Sequence, residues 1–321
     1  MTIQNVCLVG ANGTLGTAIT KALSATNFSV SILRRNSSTS PSTSAGINEI
    51  HVSPSLTLAE LTTALRDQHA VIAAFPLTDV TQHIRLAQAA HDAGVSRYIP
   101  ADYGSCDAAS PQAQHHLQLY RDKTAVRAKC EELAAAADAT TPFTWTSIIC
   151  GHFFDHGLED GLLHFNIAEQ TALLLDTGHL RASTSTLPRV ADAVVRVLQQ
   201  PDDLTRNRAL YIQSFCPSQL EILASLERAT GSKWKTHHVD SAAFLETQSK
   251  RLAEGDKDAV EEIVFVLGTV DADWRSREGF AMKLLGLEDE DLDEVVARVV
   301  KEHGAERMGG GGGGGGGVRR V

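Results

Sequence analysis

The chain has 321 residues, with 29 basic against 39 acidic side chains and a formal charge of −10. At roughly 100–200 residues per domain this predicts two domains, or one large α/β domain with an appendage, and the acidic balance disfavours general nucleic-acid binding. No apolar run approaches the roughly 18–20 residues that cross a bilayer. The N-terminus enters a strand-like pattern at once, so no signal peptide is expected and a cytoplasmic protein is.

Ile3–Val9 is a short apolar run ending in glycine, as a buried parallel strand should be. Thr14–Ser24 follows, with Leu15, Ala18, Ile19, Ala22 and Leu23 on one helical face. Phe28–Leu33 reads as a second strand that ends at Arg34 and Arg35. Ser37–Ser44, seven Ser/Thr and one Pro, is a loop. Ala70–Phe75 and Tyr98–Ala101 are further strands, separated by the helix Val80–Ala93 and its stop signal Gly94. A helix at Leu119–Ala137 and a strand at Phe143–Cys150 complete the alternation, which implies parallel pairing through right-handed crossovers. Residues 1–150 are therefore expected to form a Rossmann-type doubly wound sheet. From Gly151 helices dominate, predicting a smaller, mainly helical substrate domain over 151–307. The helix Leu187–Gln199 and strand Leu210–Gln213 are expected to return to the first sheet (residues 187–216). The last helix, Glu288–His303, carries acids in its first turn that complement its dipole and face solvent. Residues 308–321, with nine consecutive glycines from Gly309 to Gly317, form a low-complexity tail.

The turn Gly10-Ala11-Asn12-Gly13-Thr14-Leu15-Gly16 lies between the first strand and the first helix. Gly10 suits a tight turn, Gly13 allows backbone N–H groups to approach a pyrophosphate, and Gly16 lets the helix press on the sheet. An acid at the end of the second strand would select NAD; Arg34 and Arg35 stand there instead, and guanidinium groups can hold a 2′-phosphate. NADP(H) is thus the expected cofactor, and Phe75, at the end of the Ala70–Phe75 strand, completes the cofactor set. The spacing Tyr-x-x-x-Lys of short-chain reductases is absent, and Tyr120-Arg-Asp-Lys123 is one residue short of it.

Several segments together resemble the NmrA-like and isoflavone-reductase-like atypical short-chain family, nearest to its fungal oxidoreductases. They are the glycine turn, Arg34, the run from Gln82 to Gly104, Lys123-Thr-Ala-Val-Arg127, Cys150-Gly-His-Phe-Phe-Asp155 and Leu284–Asp291. The resemblance covers about residues 3 to 300. It implies NADPH-dependent reduction of a small aromatic or conjugated metabolite, with Lys123 as the catalytic general acid/base that also bonds the nicotinamide ribose. The family's Pro-Ser-Glu-Phe-Gly becomes Pro100-Ala-Asp-Tyr-Gly104. A second basic residue that often helps with the 2′-phosphate is missing, since no lysine occurs between Lys21 and Lys123, and Arg35 is expected to substitute.

His152 and Phe153 directly follow a strand end and are expected to contact substrate. His152 and His156 are four apart, but with no glutamate after the first and no third ligand no metal site is expected. The five cysteines are scattered, without a C-x-x-C pair, which fits a reducing compartment and no disulfide framework. Partners are thus a small molecule, not nucleic acid or membrane. The alternative reading is a non-catalytic NADP(H) sensor that controls a partner protein, as NmrA does. Lys123 favours the enzyme.

Overall fold

The computed structural model describes residues 2–39, 47–138 and 142–309, of which 305–309 only in their backbone. Met1, part of the Ser/Thr-rich loop and the tail from Gly310 lie outside the described residues. The first half runs β1 (Asn5–Val9), α1 (Thr14–Ser24), β2 (Ser29–Arg35), β3 (Asn48–Val52), α2 (Leu58–Ala64), β4 (Ala70–Ala73), α3 (Val80–Asp92), β5 (Arg97–Ile99), α4 (Pro111–His116), α5 (Gln118–Ala136) and β6 (Thr144–Ile149). The second half runs β7 (His152–Phe153), α6 (Phe154–Glu159), β8 (Phe165–Asn166), β9 (Thr171–Leu175), β10 (Thr184–Ser185), α7 (Leu187–Gln199), α8 (Asp202–Thr205), β11 (Arg208–Tyr211), α9 (Gln219–Thr230), β12 (Lys235–Val239), α10 (Ser241–Ala253), α11 (Ala259–Val270) and α12 (Leu292–Gly309).

Seven strands pair in the order β11-β6-β5-β4-β1-β2-β3, and every pairing is parallel. Such a sheet is covered on both faces, which explains why β4 is apolar and buried at all four positions. On one face α1 buries Leu15, Ile19 and Leu23 against Val190, Val194 and Val197 of α7. On the other, Leu86 and Ala90 of α3 meet Val126, Cys130 and Leu133 of α5. The order reverses at β1, so the crevice above β1 and β4 is the place where an open α/β sheet binds ligands. Because all seven strands point the same way, the segments after β1, β2, β4, β5 and β6 emerge along one edge.

Helices α1 and α7 occupy the predicted residues. Other elements differ. β2 extends through Arg34 and Arg35, which therefore lie within its last turn of pleat and not beyond it. β4 stops at Ala73, leaving Phe75 in the following loop. β3 and α2 were not foreseen: β3 is an edge strand with one fully buried position, Val52, so it carries little apolar signal. The second half also contains a small sheet, β12-β9-β8. The C-terminal helix begins at Leu292, four residues later than expected. The acids before it are anchors as well as a solvated face. Asp289 accepts from the Gln213 amide at 2.9 Å, and Glu290 accepts from the Thr186 hydroxyl at 3.0 Å. No helix among the described residues is long and apolar enough to cross a membrane.

Candidate functional site

Gly10 has φ of +98°, and a Cβ there would stand 2.4 Å from the Ala74 carbonyl oxygen. At Gly16 a Cβ would meet the Gly10 carbonyl oxygen at 2.0 Å, so the turn folds back on the helix only because both residues are glycine. Gly13 is different: its φ is ordinary at −77° and a Cβ would clear every neighbour by 3.5 Å. Gly13 caps α1 with no side-chain bond to the helix, and no acid occupies the first turn. Asn12, Gly13 and Thr14 are exposed while Ala11, Leu15 and Gly16 are buried beneath them. This leaves the helix-terminal N–H groups facing outward, a geometry that suits a pyrophosphate.

Beside this turn, at the end of β2, Arg34 donates to Glu49 at 3.5 Å. The acid is fifteen positions on in sequence but adjacent in space, because β3 pairs with β2. Arg35 is exposed. Phe75 stacks on His83 with ring centroids 3.9 Å apart. Burial pushes the His83 pKa down to about 4, and its Nε2 donates to the Pro76 carbonyl at 3.2 Å. A neutral histidine thus braces the loop that faces the glycine turn.

A cleft of about 900 Å³, its open mouth included, lies further along the same edge. Leu119, Leu163, Val260, Val264 and Phe265 give it apolar walls, and Tyr103, Lys123, His152 and His156 are its chief polar lining. Lys123 is half-buried on α5, its Nζ donating to the Asp102 carbonyl in the loop after β5. Burial lowers its proton affinity, and the Asp102 carboxylate partly opposes that shift. The Asp102 carboxylate is itself held by Arg127, which also reaches Asp107 at 3.1 Å. Burial works against the Arg127 charge, but the two carboxylates more than offset it.

Tyr120, one turn before Lys123, cannot serve as the proton donor of a short-chain reductase. Its hydroxyl is buried against the Ser105 hydroxyl at 2.9 Å, and desolvation holds its pKa well above the phenol range. The amine of Lys123 lies 5.6 Å from the centre of that ring.

Gly151 delivers His152 to the cleft. It has φ of +73°, and a Cβ there would stand 1.9 Å from the Ser183 carbonyl oxygen. The short strand pair β7–β10 then fixes the exit, with the Thr184 hydroxyl donating to the His152 carbonyl at 2.7 Å. Phe153 joins the same lining. The wall from α11 was not foreseen. Its signal was an apolar helix interrupted by Gly268, where a Cβ would meet His152 Nε2 at 2.3 Å. The five cysteines are all free and buried. Desolvation raises Cys106 to about 11 and Cys150 to about 12, so neither is a nucleophile. No group of three metal-ligating side chains stands together among the described residues.

The expected residues thus fall into two neighbouring groups on one edge. The glycine turn, Arg34, Arg35 and Phe75 surround the crevice above β1, and Lys123, His152 and Phe153 line the cleft. The chain is 33% identical over 300 residues to the oxidoreductase poxI of Penicillium oxalicum, covering 91% of this chain and 92% of that one. It is 31% identical over 306 residues to the oxidoreductase aprR of Aspergillus flavus, covering 94% and 100%. Among solved structures, the NADPH complex of leucoanthocyanidin reductase from Vitis vinifera superposes with a TM-score of 0.74 at 15% identity, covering 92% of this chain and 99% of that one. A profile described as the NmrA-like family matches residues 2–296, and the chain belongs to that family.

Proposed function

We propose that this protein is an NADPH-dependent oxidoreductase that transfers hydride to a small aromatic or conjugated molecule held in the cleft. The observation that carries this reading is the placement of Lys123. Its amine, with a lowered proton affinity, lies in an apolar cleft on the edge that also carries an anion-ready helix terminus. The relatives named oxidoreductases, and the fold relative whose complex holds NADPH, support the same class.

The glycine turn from Gly10 to Gly16, with Ala11, Asn12, Thr14 and Leu15, would hold the pyrophosphate through α1. Arg34 and Arg35 would receive the 2′-phosphate, and Phe75 would flank the dinucleotide. A bound dihydronicotinamide supplies the hydride. Lys123 would bond the nicotinamide ribose and give or take the proton at the substrate atom beside the reduced carbon. Its carbonyl partner at Asp102 keeps the amine aimed into the cleft, and the apolar walls exclude water from the reacting atoms. His152 and Phe153 would meet the substrate. Residues 1–150, joined by 187–216, would bind the cofactor, and 151–307 would supply most of the substrate cleft, which Tyr103, Leu119 and Lys123 complete.

The direct test presents NADPH deuterated at C4, with a metabolite extract, to the purified protein. A product one deuterium heavier, lost in Lys123→Ala, is the expected result. Tight NADPH binding with no labelled product would overturn turnover and leave a dinucleotide sensor. For the cofactor, Arg34→Glu with Arg35→Glu should cost NADPH affinity tenfold or more, by analogy with other charge-assisted phosphate contacts, and spare NADH. An unchanged preference would remove both arginines from the assignment.

A further inference from the structure

His152 has one ring nitrogen committed and one open. Nε2 lies 3.3 Å from the Phe265 carbonyl oxygen, which can only accept, so the proton sits on Nε2. Nδ1 is then a lone pair. No donor among the described residues reaches it, and it is not sealed off by its neighbours. The ring is kept neutral at physiological pH: burial pulls its pKa down to about 4, against the opposing pull of the Phe265 carbonyl.

The committed nitrogen is held by a specific surface of α11. Gly268 lies on that surface, and a Cβ there would approach His152 Nε2 at 2.3 Å and Ser105 Cβ at 2.8 Å. The bare backbone of Gly268 therefore leaves room for the imidazole to dock on Phe265. Of the hydroxyls in the same lining, those of Ser105 and Tyr120 bond each other, and that of Tyr103 is sealed without a partner and does not reach the imidazole. Lys123, in the same lining, can present a proton to a ligand but is already directed by Asp102. His152 Nδ1 is thus a neutral acceptor beside apolar walls, with its tautomer set from behind.

We infer that His152 is a specificity-determining residue whose Nδ1 accepts a hydrogen bond from a hydroxyl group of the ligand in the cleft. Gly268 is the positioning residue that keeps the acceptor aimed. The inference rests on the reading of this cleft as the substrate site and narrows it: the ligand is an apolar body with a hydroxyl donor. A ligand with the same skeleton and a blocked oxygen leaves the acceptor unpaired and is rejected.

The test is a binding comparison in the presence of saturating NADP+, so that no turnover intervenes. The probes are 2-naphthol and its methyl ether, 2-methoxynaphthalene, titrated by calorimetry against wild type, His152→Phe, His152→Gln and Gly268→Ala. The ratio of the two affinities should favour naphthol in wild type by roughly 3- to 10-fold more than in His152→Phe, the scale of one neutral hydrogen bond. His152→Gln, whose amide oxygen can accept, should restore part of that margin, which loss of packing alone would not predict. Gly268→Ala should lose it. An equal ratio in wild type and His152→Phe, or binding of neither probe to wild type, would overturn the inference. Failure of hydride transfer with the naphthol margin intact would instead sink the oxidoreductase reading and leave the acceptor in place.

Discussion

Lys123 shows what the proposed proton carrier costs the fold. Burial disfavours its charge, so its proton affinity is lower folded than unfolded. The unfolded chain then binds more protons between the folded value and the usual lysine range, and stability rises with pH across that window. Lys123→Met should therefore be inactive yet at least as stable as wild type at pH 7. Its advantage should shrink as pH climbs towards the lysine range, as denaturant titrations at several pH values will read. His83 behaves in the opposite limb. Its pKa falls from 6.5 to about 4, so the unfolded chain gains a proton as acid is added while the folded one does not. That contribution is present above pH 6.5 and is lost progressively towards pH 4, by about 3 kcal/mol as an order of magnitude. His83→Phe should flatten the acid limb of the stability profile by that amount. At this scale the sequence was legible where a motif pointed to a residue that the fold places in the cleft, as with Lys123. It was silent on His83 and Gly268, whose roles come from neighbours distant in the chain.

Among elements, the β1–α1 turn separates three glycines that look alike in sequence. Gly16→Ala would drive a methyl into the Gly10 carbonyl and should cost about 3 kcal/mol or more, because backbone must move. Gly13→Ala meets nothing closer than 3.5 Å and should leave thermal unfolding almost unchanged. It should still weaken NADPH binding, because the added methyl stands at the lip where helix N–H groups face outward. A Gly13→Ala protein with full cofactor affinity would remove the turn from the cofactor site. The buried parallel strands and the amphipathic helices α1, α3 and α7 were readable because burial on both faces or one stripe imprints periodicity. β3, β8 and β12 were not, since an edge or a small three-stranded sheet needs few apolar positions. Lys235–Val239, with two histidines and no fully buried residue, is a strand because β9 supplies its partner.

For the molecule as a whole, a polar network ties the segment after β5 to the C-terminal half. Asp107 accepts from Ala109 N–H at 3.1 Å, from Arg127, from the Tyr211 hydroxyl at 2.9 Å and from Arg277 at 3.3 Å. Burial alone would raise its pKa, but these donors hold it below the usual carboxylate value. Arg127 also grips Asp102, whose carbonyl receives Lys123, so the network that joins the two halves also supports the proposed proton carrier. Asp107→Ala should cost about 3–5 kcal/mol, the scale of breaking a buried ion pair, in chemical denaturation. A loss of under 1 kcal/mol would show that the clamp is dispensable. None of this could be read from spacing, since Asp107 and Arg277 lie 170 positions apart.

The five buried thiols make the folded chain its own clock. With Cys7 and Cys150 both pushed up to about 12 by desolvation, and all five side chains enclosed, a disulfide reagent in neutral buffer can react only after the structure opens. Cys7 in β1 and Cys130 in α5 share the core on the α3 and α5 side of the main sheet, whereas Cys150 after β6 lies in the core that α1 and α7 cover. Mass spectra of partly labelled protein therefore distinguish opening of one region from opening of the whole. A ligand that binds only the closed form must slow that labelling in proportion to its occupancy, so the rate at which native thiols disappear reads out affinity without any chromophore, substrate or label on the ligand.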